Sequence, residues 1–352
     1  MGRRGATSLQ DVVGKLKDKA SQSRAALNPL SKPHVGALLR ATTHDPSAPP
    51  EEKHLAAILS YGHRSRATAS VVVESLMDRL QTTGDAPVAL KCLLTVHHII
   101  CRGTFILQDQ LSVFPAAGGR NYLKLSNFRD SRSPFTWEIS SWVRWYARYV
   151  ENFLSASRIL GFFIGSSSSI LEKEKVEETV TGLLNSDLLR ELDSLVGLIE
   201  DACKMPDSTH VESARLLRCV KSLAAEDHMS VMNEVAVRIS EFRQRLSVLS
   251  FGESVELVCN LKRLEGCEEK LSAIFDRKVP TESFWELMRE VKSNLTEQEE
   301  KMSAALDRRV GRGSESARYG GRRAVSLDEP VRFSSGRLPP LPIPSTELYP
   351  YG

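Results

Sequence analysis

No hydrophobic run in this 352-residue sequence approaches the roughly 20 residues that a membrane-spanning helix requires. The most apolar run extends only from Ile159 to Gly165. The N-terminal residues lack the apolar core of a secretory signal, and Ala6 stands where a myristoylation motif has Ser or Thr. We therefore expect that, if this protein meets a membrane, it does so peripherally and from the cytosolic side.

Motifs of catalysis, nucleotide binding and metal binding are also missing. There is no GxxxxGK[ST], no GxGxxG after a strand, no GxSxG and no HExxH. His97 and His98 are adjacent, so on a helix they diverge by about 100° and cannot chelate one ion well. We expect one of them to pack against a neighbour and the other to lie near the surface. The sequence thus predicts no enzyme, no cofactor and no metal.

The six cysteines include no CxxC pair, and all lie in stretches of periodic apolar residues. This pattern indicates buried free thiols in a reducing compartment.

Net charge is small, at +3, but its distribution is uneven. Residues 1–33 contain seven Lys or Arg and two Asp, whereas residues 171–201 contain nine acids and three bases. The tail from Arg308 contains eight Arg and four acids. Such asymmetry suggests an anionic surface as partner, although solvated helix faces carry similar runs. The basic excess is too small to predict nucleic-acid binding.

Apolar residues recur at helical spacing through most of the chain, and no stretch alternates as a strand does. Near residue 306 the composition changes to Gly, Arg, Ser and Pro, which predicts a disordered tail over 306–352. The fold class predicted is all-α, a solenoid of stacked helices over residues 8–305. The predicted helices are Gln10–Arg24, His34–Thr42, Glu51–Ser60, Ala67–Leu80, Ala86–Cys101, Phe105–Val113, Phe135–Ser155, Lys175–Ala202, Val211–Leu246, Ser254–Phe275 and Glu282–Leu306.

Two of these helices have a distinctive composition. The helix at Ala86–Cys101 is apolar on nearly all sides, which predicts a central buried helix. The helix at Phe135–Ser155 is dense in aromatic residues, from Phe135 through Trp137 to Phe153, which we interpret as core. Its interleaved Arg144 and Arg148 leave a nucleic-acid stacking face as the alternative.

The segment from Arg40 to His54 has the strongest functional signal. A helix ends near Arg40, a Pro-rich loop follows, and a new helix starts near Glu51. Free N–H groups at that helix start, together with Arg40, Lys53 and His54, would make a shallow site for a polyphosphate head group. The alternative is an ordinary helix–loop–helix corner with surface charges.

Four separated segments resemble the ANTH domains of clathrin-assembly proteins, and their plant members in particular. Arg40-Ala-Thr-Thr-His44 with Lys53-His-Leu55 resembles the phosphoinositide-binding motif of that family. The resemblance continues at Ala89-Leu-Lys91 with the histidine pair, at Asn121–Phe128 and at Trp142–Tyr149. It implies an ENTH/ANTH-like superhelix over residues 8–165, a helical C-terminal part of the ANTH domain over 166–305, and the tail over 306–352.

The resemblance also implies a function. It predicts a peripheral adaptor that binds phosphatidylinositol 4,5-bisphosphate and assists clathrin coat assembly, vesicle budding and SNARE selection in endocytosis. Membrane, clathrin heavy chain, adaptor complex and vesicle SNARE are the implied partners, with clathrin and adaptor contacts weak or indirect. The implied location is the cytoplasmic face of coated pits and vesicles, at the plasma membrane or Golgi apparatus. The implied head-group residues are Arg40, Lys53 and His54, and the supporting basic surface is Lys15, Lys17, Lys19 and Lys32.

Two departures from the family pattern favour a second hypothesis. Glu51, with Glu52 beside it, stands where the family commonly has a lysine, and losing one basic residue costs several-fold in affinity for an anionic leaflet. The tail contains no Asn-Pro-Phe motif and no clathrin box, and the Asp-Leu-Leu at Asp187–Leu189 lies on a predicted helix that would bury both leucines. The alternative is a helical protein–protein scaffold in vesicle traffic with little or no lipid binding.

Overall fold

Every regular element in the described residues is a helix, which confirms the all-α fold class. The computed structural model describes residues 9–27, 33–112, 121–165, 178–207, 214–275 and 282–297. No helix in these ranges is both long and apolar enough to cross a bilayer. The helices are α1 Leu9–Leu27, α2 Pro33–Ala41, α3 Glu52–Leu59, α4 Arg66–Thr82, α5 Ala86–Arg102, α6 Phe105–Ser112, α7 Pro134–Leu160, α8 Asn185–Ala202, α9 Arg215–Arg245, α10 Phe251–Ile274 and α11, residues 282–297.

Helix ends follow from local side-chain chemistry. The Ser133 hydroxyl accepts a hydrogen bond from the Thr136 backbone and starts α7, with Pro134 in its first turn. The same helix ends at Gly161. Its φ of 79° lies in the left-handed region, which glycine adopts without steric strain. Asp85 caps α5 by accepting from the Val88 N–H. These local signals explain why most predicted boundaries lie within a few residues of the observed ones.

The helices stack in chain order, which gives the predicted solenoid. Helix α1 packs on α2, α2 on α3, α4 on α5, α5 on α7, and α7 on α8. Helix α8 then contacts both α9 and α10. Helix α5 lies at the centre: every residue from Ala86 to Ile100 is buried, as its apolar sequence predicts.

The prediction of one unbroken helix over Lys175–Ala202 is wrong in its described part. Residues 178–181 are helical, but the helix stops there and α8 begins only at Asn185. Arg245, at the end of α9, donates to the carbonyl oxygens of Thr181 and Leu183 at 2.7 Å each. These carbonyl oxygens therefore have hydrogen-bond partners although the helix stops, so the break leaves neither of them unsatisfied.

Two burial predictions need correction. Trp137, in the first turn of α7, is 55% exposed, whereas the later aromatics of α7 are core. Only Cys92 and Cys267 are buried among the free cysteines, and Cys259 is exposed on α10.

The C-terminal part of the last predicted helix and the tail predicted to be disordered lie outside the described residues. The division at residue 165 stays a prediction.

Candidate functional site

The three predicted head-group residues come together where α2 meets α3, and we call this place the α2–α3 corner. Arg40 is exposed in the last turn of α2, with its guanidinium over Gly36. Lys53 and His54 lie in the first turn of α3. Partial burial lowers the pKa of His54, and the charges of Lys53 and Arg40 lower it further despite the opposing effect of Glu51. The charges of Arg40 and Lys53 therefore both act on His54 at this corner.

Buried contacts with α4 hold the loop that leaves α2. The Thr42 hydroxyl donates to the Leu38 carbonyl at 2.7 Å. Arg79 of α4 donates from Nε to Thr42 Oγ1 at 2.5 Å and from Nη2 to the Thr42 carbonyl at 2.7 Å. Thr42 thus anchors the corner and is itself inaccessible.

A buried lysine of α5 supports the next part of the loop. Lys91 Nζ donates to Thr43 Oγ1 at 2.8 Å and to the Asp45 carbonyl at 2.7 Å. Burial lowers the pKa of Lys91 to about 8 although nearby carboxylates, Asp45 first, oppose the shift. Lys91 therefore fixes the loop and adds positive charge beneath it.

Helix α1 docks on the same loop through Asp18. The His44 backbone N–H donates to Asp18 Oδ2 at 2.9 Å, and His44 Nδ1 lies 2.6 Å from Asp18 Oδ1. A Cβ at Gly14 would come within 3.0 Å of the His44 Cβ, so glycine permits this approach.

The supporting lysines of α1 are exposed, but the structure connects only one of them to the loop. Burial alone would raise the pKa of Asp45; hydrogen bonds from Ser47 and the charges of Lys91 and Lys15 lower it instead, which places Lys15 near the loop. Lys17 and Lys19 are exposed on the same helix. Lys32 lies outside the described residues.

The two acids at the start of α3 have different partners. The Glu51 carboxylate lies 2.6 Å from Lys53 Nζ, with both side chains exposed, and this hydrogen bond lowers the pKa of Glu51. Glu52 turns toward the last turn of α5, where Arg102 Nη1 donates to its Oε2 at 3.1 Å. Glu51 alone therefore competes with a phosphate for Lys53.

A second polar cluster, which the sequence did not reveal, lies buried between α5, α7 and α9. His97 Nε2 is 2.9 Å from Asp227 Oδ2, and His97 Nδ1 is 2.5 Å from the Tyr146 hydroxyl. Tyr149 donates to Asp227 Oδ2 at 3.0 Å. Burial would lower the pKa of His97, but the Asp227 carboxylate raises it well above its usual value, which favours the imidazolium form of His97.

His98 is buried too, and the prediction that one histidine lies near the surface is wrong. Helix α5 is covered on all sides, so both adjacent side chains are inside although they point in different directions. Burial lowers the pKa of His98 to about 4, and this histidine is neutral at pH 7.

The Asp-Leu-Leu segment is not available to a partner. Leu188 and Leu189 are buried in α8, as predicted. This finding removes the one candidate clathrin motif in the described part of the chain.

Comparison with known proteins gives consistent matches. A family model described as ANTH domain matches residues 36–217, a range that includes Arg40, Lys53 and His54. An Arabidopsis thaliana protein named "Putative clathrin assembly protein" is 54% identical over 352 residues, covering 96% of each chain. A second Arabidopsis protein with the same name is 30% identical over 312 residues, covering 84% of this chain and 88% of its own length.

Proposed function

Because the chain belongs to the ANTH-domain clathrin assembly family, we propose that it is a peripheral adaptor that binds phosphatidylinositol 4,5-bisphosphate at the α2–α3 corner. Its role in clathrin coat assembly would depend on this recruitment. The observation that carries the proposal is the convergence of Arg40, Lys53 and His54 on one corner whose loop is anchored by Thr42 and Lys91.

Each basic group has a distinct part in head-group binding. The Arg40 guanidinium presents several N–H donors, which suit the oxygens of a phosphate. Lys53 exchanges its exposed partner Glu51 for a second phosphate. The Glu51 side chain does not cap α3, so the first N–H groups of that helix add further donors. His54 contributes a ring N–H.

Further contacts add to this weak single site. Lys15, Lys17 and Lys19, together with Lys32, contribute leaflet attraction of about 1 kcal/mol for each basic residue near the surface. The C-terminal helices would present a surface to a vesicle SNARE, with weaker or indirect contacts to clathrin heavy chain and adaptor complex. Several such contacts in a coat raise the overall affinity without any catalysis. Coated pits and vesicles at the plasma membrane or Golgi are the proposed location.

The second candidate is a helical scaffold in vesicle traffic that binds proteins without lipid. The ion pair between Glu51 and Lys53 supports it, since this pair neutralises one of the three head-group residues. The two functions differ in whether a phosphoinositide is needed for membrane binding.

The first prediction concerns the two basic residues of α3. In co-sedimentation with vesicles, wild type should pellet only when about 5% phosphatidylinositol 4,5-bisphosphate is present, and Lys53→Glu/His54→Glu should stay in solution. The matched control is Lys262→Glu/Ser272→Glu, two exposed positions of α10 with the same change in net charge. Equal pelleting of all three proteins, or pelleting of none, would support the scaffold instead.

The second prediction is a gain of binding. Glu51→Lys removes the exposed partner of Lys53 and adds a cation beside it, so vesicle binding should strengthen about tenfold. Glu52→Lys, one residue away, should strengthen binding less because Glu52 pairs with Arg102 of α5 and not with Lys53, so Glu51 still competes for Lys53. Half-saturating lipid concentrations measure both effects. A Glu51→Lys variant with wild-type affinity would contradict the proposed role of Lys53.

A further inference from the structure

An imidazole, a thiol and a carboxylate meet between α5 and α9, independently of the proposed lipid site. His97 and Cys101 are four residues apart on α5, so they share one face of the helix, and Asp227 of α9 faces them. One ligand atom from each residue lies within 4.8 Å of the other two. The sequence concealed this group because its third member is 130 residues away from the first.

The distances between these atoms are close to those around a tetrahedral zinc ion. His97 Nε2 is 3.0 Å from Asp227 Oδ1, and Cys101 Sγ is 3.8 Å from the same oxygen. Zinc bonds of about 2.0–2.3 Å separate neighbouring ligand atoms by about 3.4–3.6 Å. Shifts of a few tenths of an ångström at Asp227 would therefore accommodate the ion.

The surrounding tyrosines already orient the ligands. The Tyr146 hydroxyl is bonded to His97 Nδ1, which leaves Nε2 as the nitrogen that faces Asp227 and Cys101. Tyr149 donates to Asp227 Oδ2, which leaves Oδ1 toward the thiol. Metal-binding histidines and carboxylates commonly have such outer hydrogen bonds, which fix the ligand geometry.

Charge balance also favours a dication at this buried position. Zn²⁺ with one thiolate, one carboxylate and a neutral imidazole has no net charge, which reduces the cost of burial. On binding, the proton of the Cys101 thiol and the proton on His97 Nε2 leave to solvent, so one zinc ion replaces two protons there. Cys101 is partly exposed, in contrast to the other two ligands, so it marks the side from which the ion enters.

From this arrangement we propose that His97, Cys101 and Asp227 bind one Zn²⁺ ion, which ties α5 to α9. The ion would join the helix beneath the α2–α3 corner to the C-terminal half of the domain. Softer thiolate and imidazole ligands favour zinc over magnesium or calcium at this site.

The test uses the full chain, stripped of metal with a chelator and then titrated with Zn²⁺ against a chromophoric chelator. Wild type should bind one equivalent, and Cys101→Val should bind at least 100-fold more weakly. Cys259→Val, which removes an exposed cysteine outside the group, should bind as wild type does. With Co²⁺ as a probe, wild type should show a thiolate charge-transfer band that Cys101→Val lacks.

Stability separates loss of the ligand from loss of the fold. Cys101→Val keeps the contacts of His97 with Asp227 and Tyr146, so its Tm in chelator should equal that of wild type. Added Zn²⁺ should raise the Tm of wild type only. If the valine variant has a lower Tm in chelator, Cys101→Ser takes its place in every measurement. The proposal is overturned if wild type binds no zinc, or if the Cys101 variant binds zinc as tightly as wild type does. Vesicle binding is not a readout in this experiment.

Discussion

Replacing Glu191 by alanine is expected to lower the free energy of unfolding by about 3–5 kcal/mol. The partner, Arg238 of α9, is only 1% exposed. Its Nε and Nη2 donate to Glu191 Oε2 at 3.0 and 2.7 Å, and its Nη1 donates to Glu234 at 2.8 Å. Without Glu191 the buried guanidinium keeps one carboxylate partner. Denaturant unfolding followed by circular dichroism measures the loss.

Two variants test whether the buried charge is the cause. Glu290→Ala breaks the exposed pair with Arg243, at 3.4 Å, and should cost less than about 1 kcal/mol. Glu191→Leu combined with Arg238→Met removes both charges and should recover most of the stability lost in Glu191→Ala. If Glu191→Ala costs no more than Glu290→Ala, the pair between α8 and α9 does not hold the helices as described.

Replacing Asp227 by alanine should have a similarly large effect, about 3–5 kcal/mol near pH 6. The substitution leaves the buried imidazole of His97 without its carboxylate and the Tyr149 hydroxyl without an acceptor. Urea unfolding in the presence of chelator measures the effect without any bound metal.

The pH dependence of this difference has a definite sign. The folded protein raises the pKa of His97 above its unfolded value of about 6.5, mainly because Asp227 offsets the effect of burial. The stabilisation from the pair is therefore complete below about pH 6.5 and is lost as pH rises through the raised value. The gap between wild type and Asp227→Ala should shrink from pH 6 toward pH 10.

Tyr149→Phe provides the control for this pH series. It removes one hydrogen bond to Asp227 but keeps the charged pair, so it should cost about 1 kcal/mol, or somewhat more because the bond is to a charged group. Its gap to wild type should vary little with pH. A pH-independent gap for Asp227→Ala would show that His97 is not charged in the folded state.

Helical spacing predicted the elements of this fold well because each helix is specified by residues close in sequence. The apolar run of α5 predicted its central position, and Ser133 with Pro134 marks the start of α7. The prediction failed at α8, where Arg245 from the end of another helix satisfies the carbonyls of the interrupted segment. A residue more than 60 positions away cannot be read from local spacing.

The candidate lipid site likewise combines features that nearby residues specify with features that depend on distant residues. Arg40, Lys53 and His54 lie within fifteen residues of one another, so a helix–loop–helix pattern sufficed to predict that they meet. The pattern could not distinguish Glu51 from Glu52, because the difference depends on Arg102 at the far end of α5. Nor could it show that Lys91 supports the loop from beneath.

By itself, the sequence determined that this protein is helical and that α5 is central, and it predicted Arg40, Lys53 and His54 as the head-group residues. The tertiary structure alone decided which acid competes for Lys53 and that His97, Cys101 and Asp227 meet. The physical reason is that helix formation depends on neighbours a few residues apart. Charge pairing and metal ligation depend instead on distances of a few ångströms between helices, which only their packing sets.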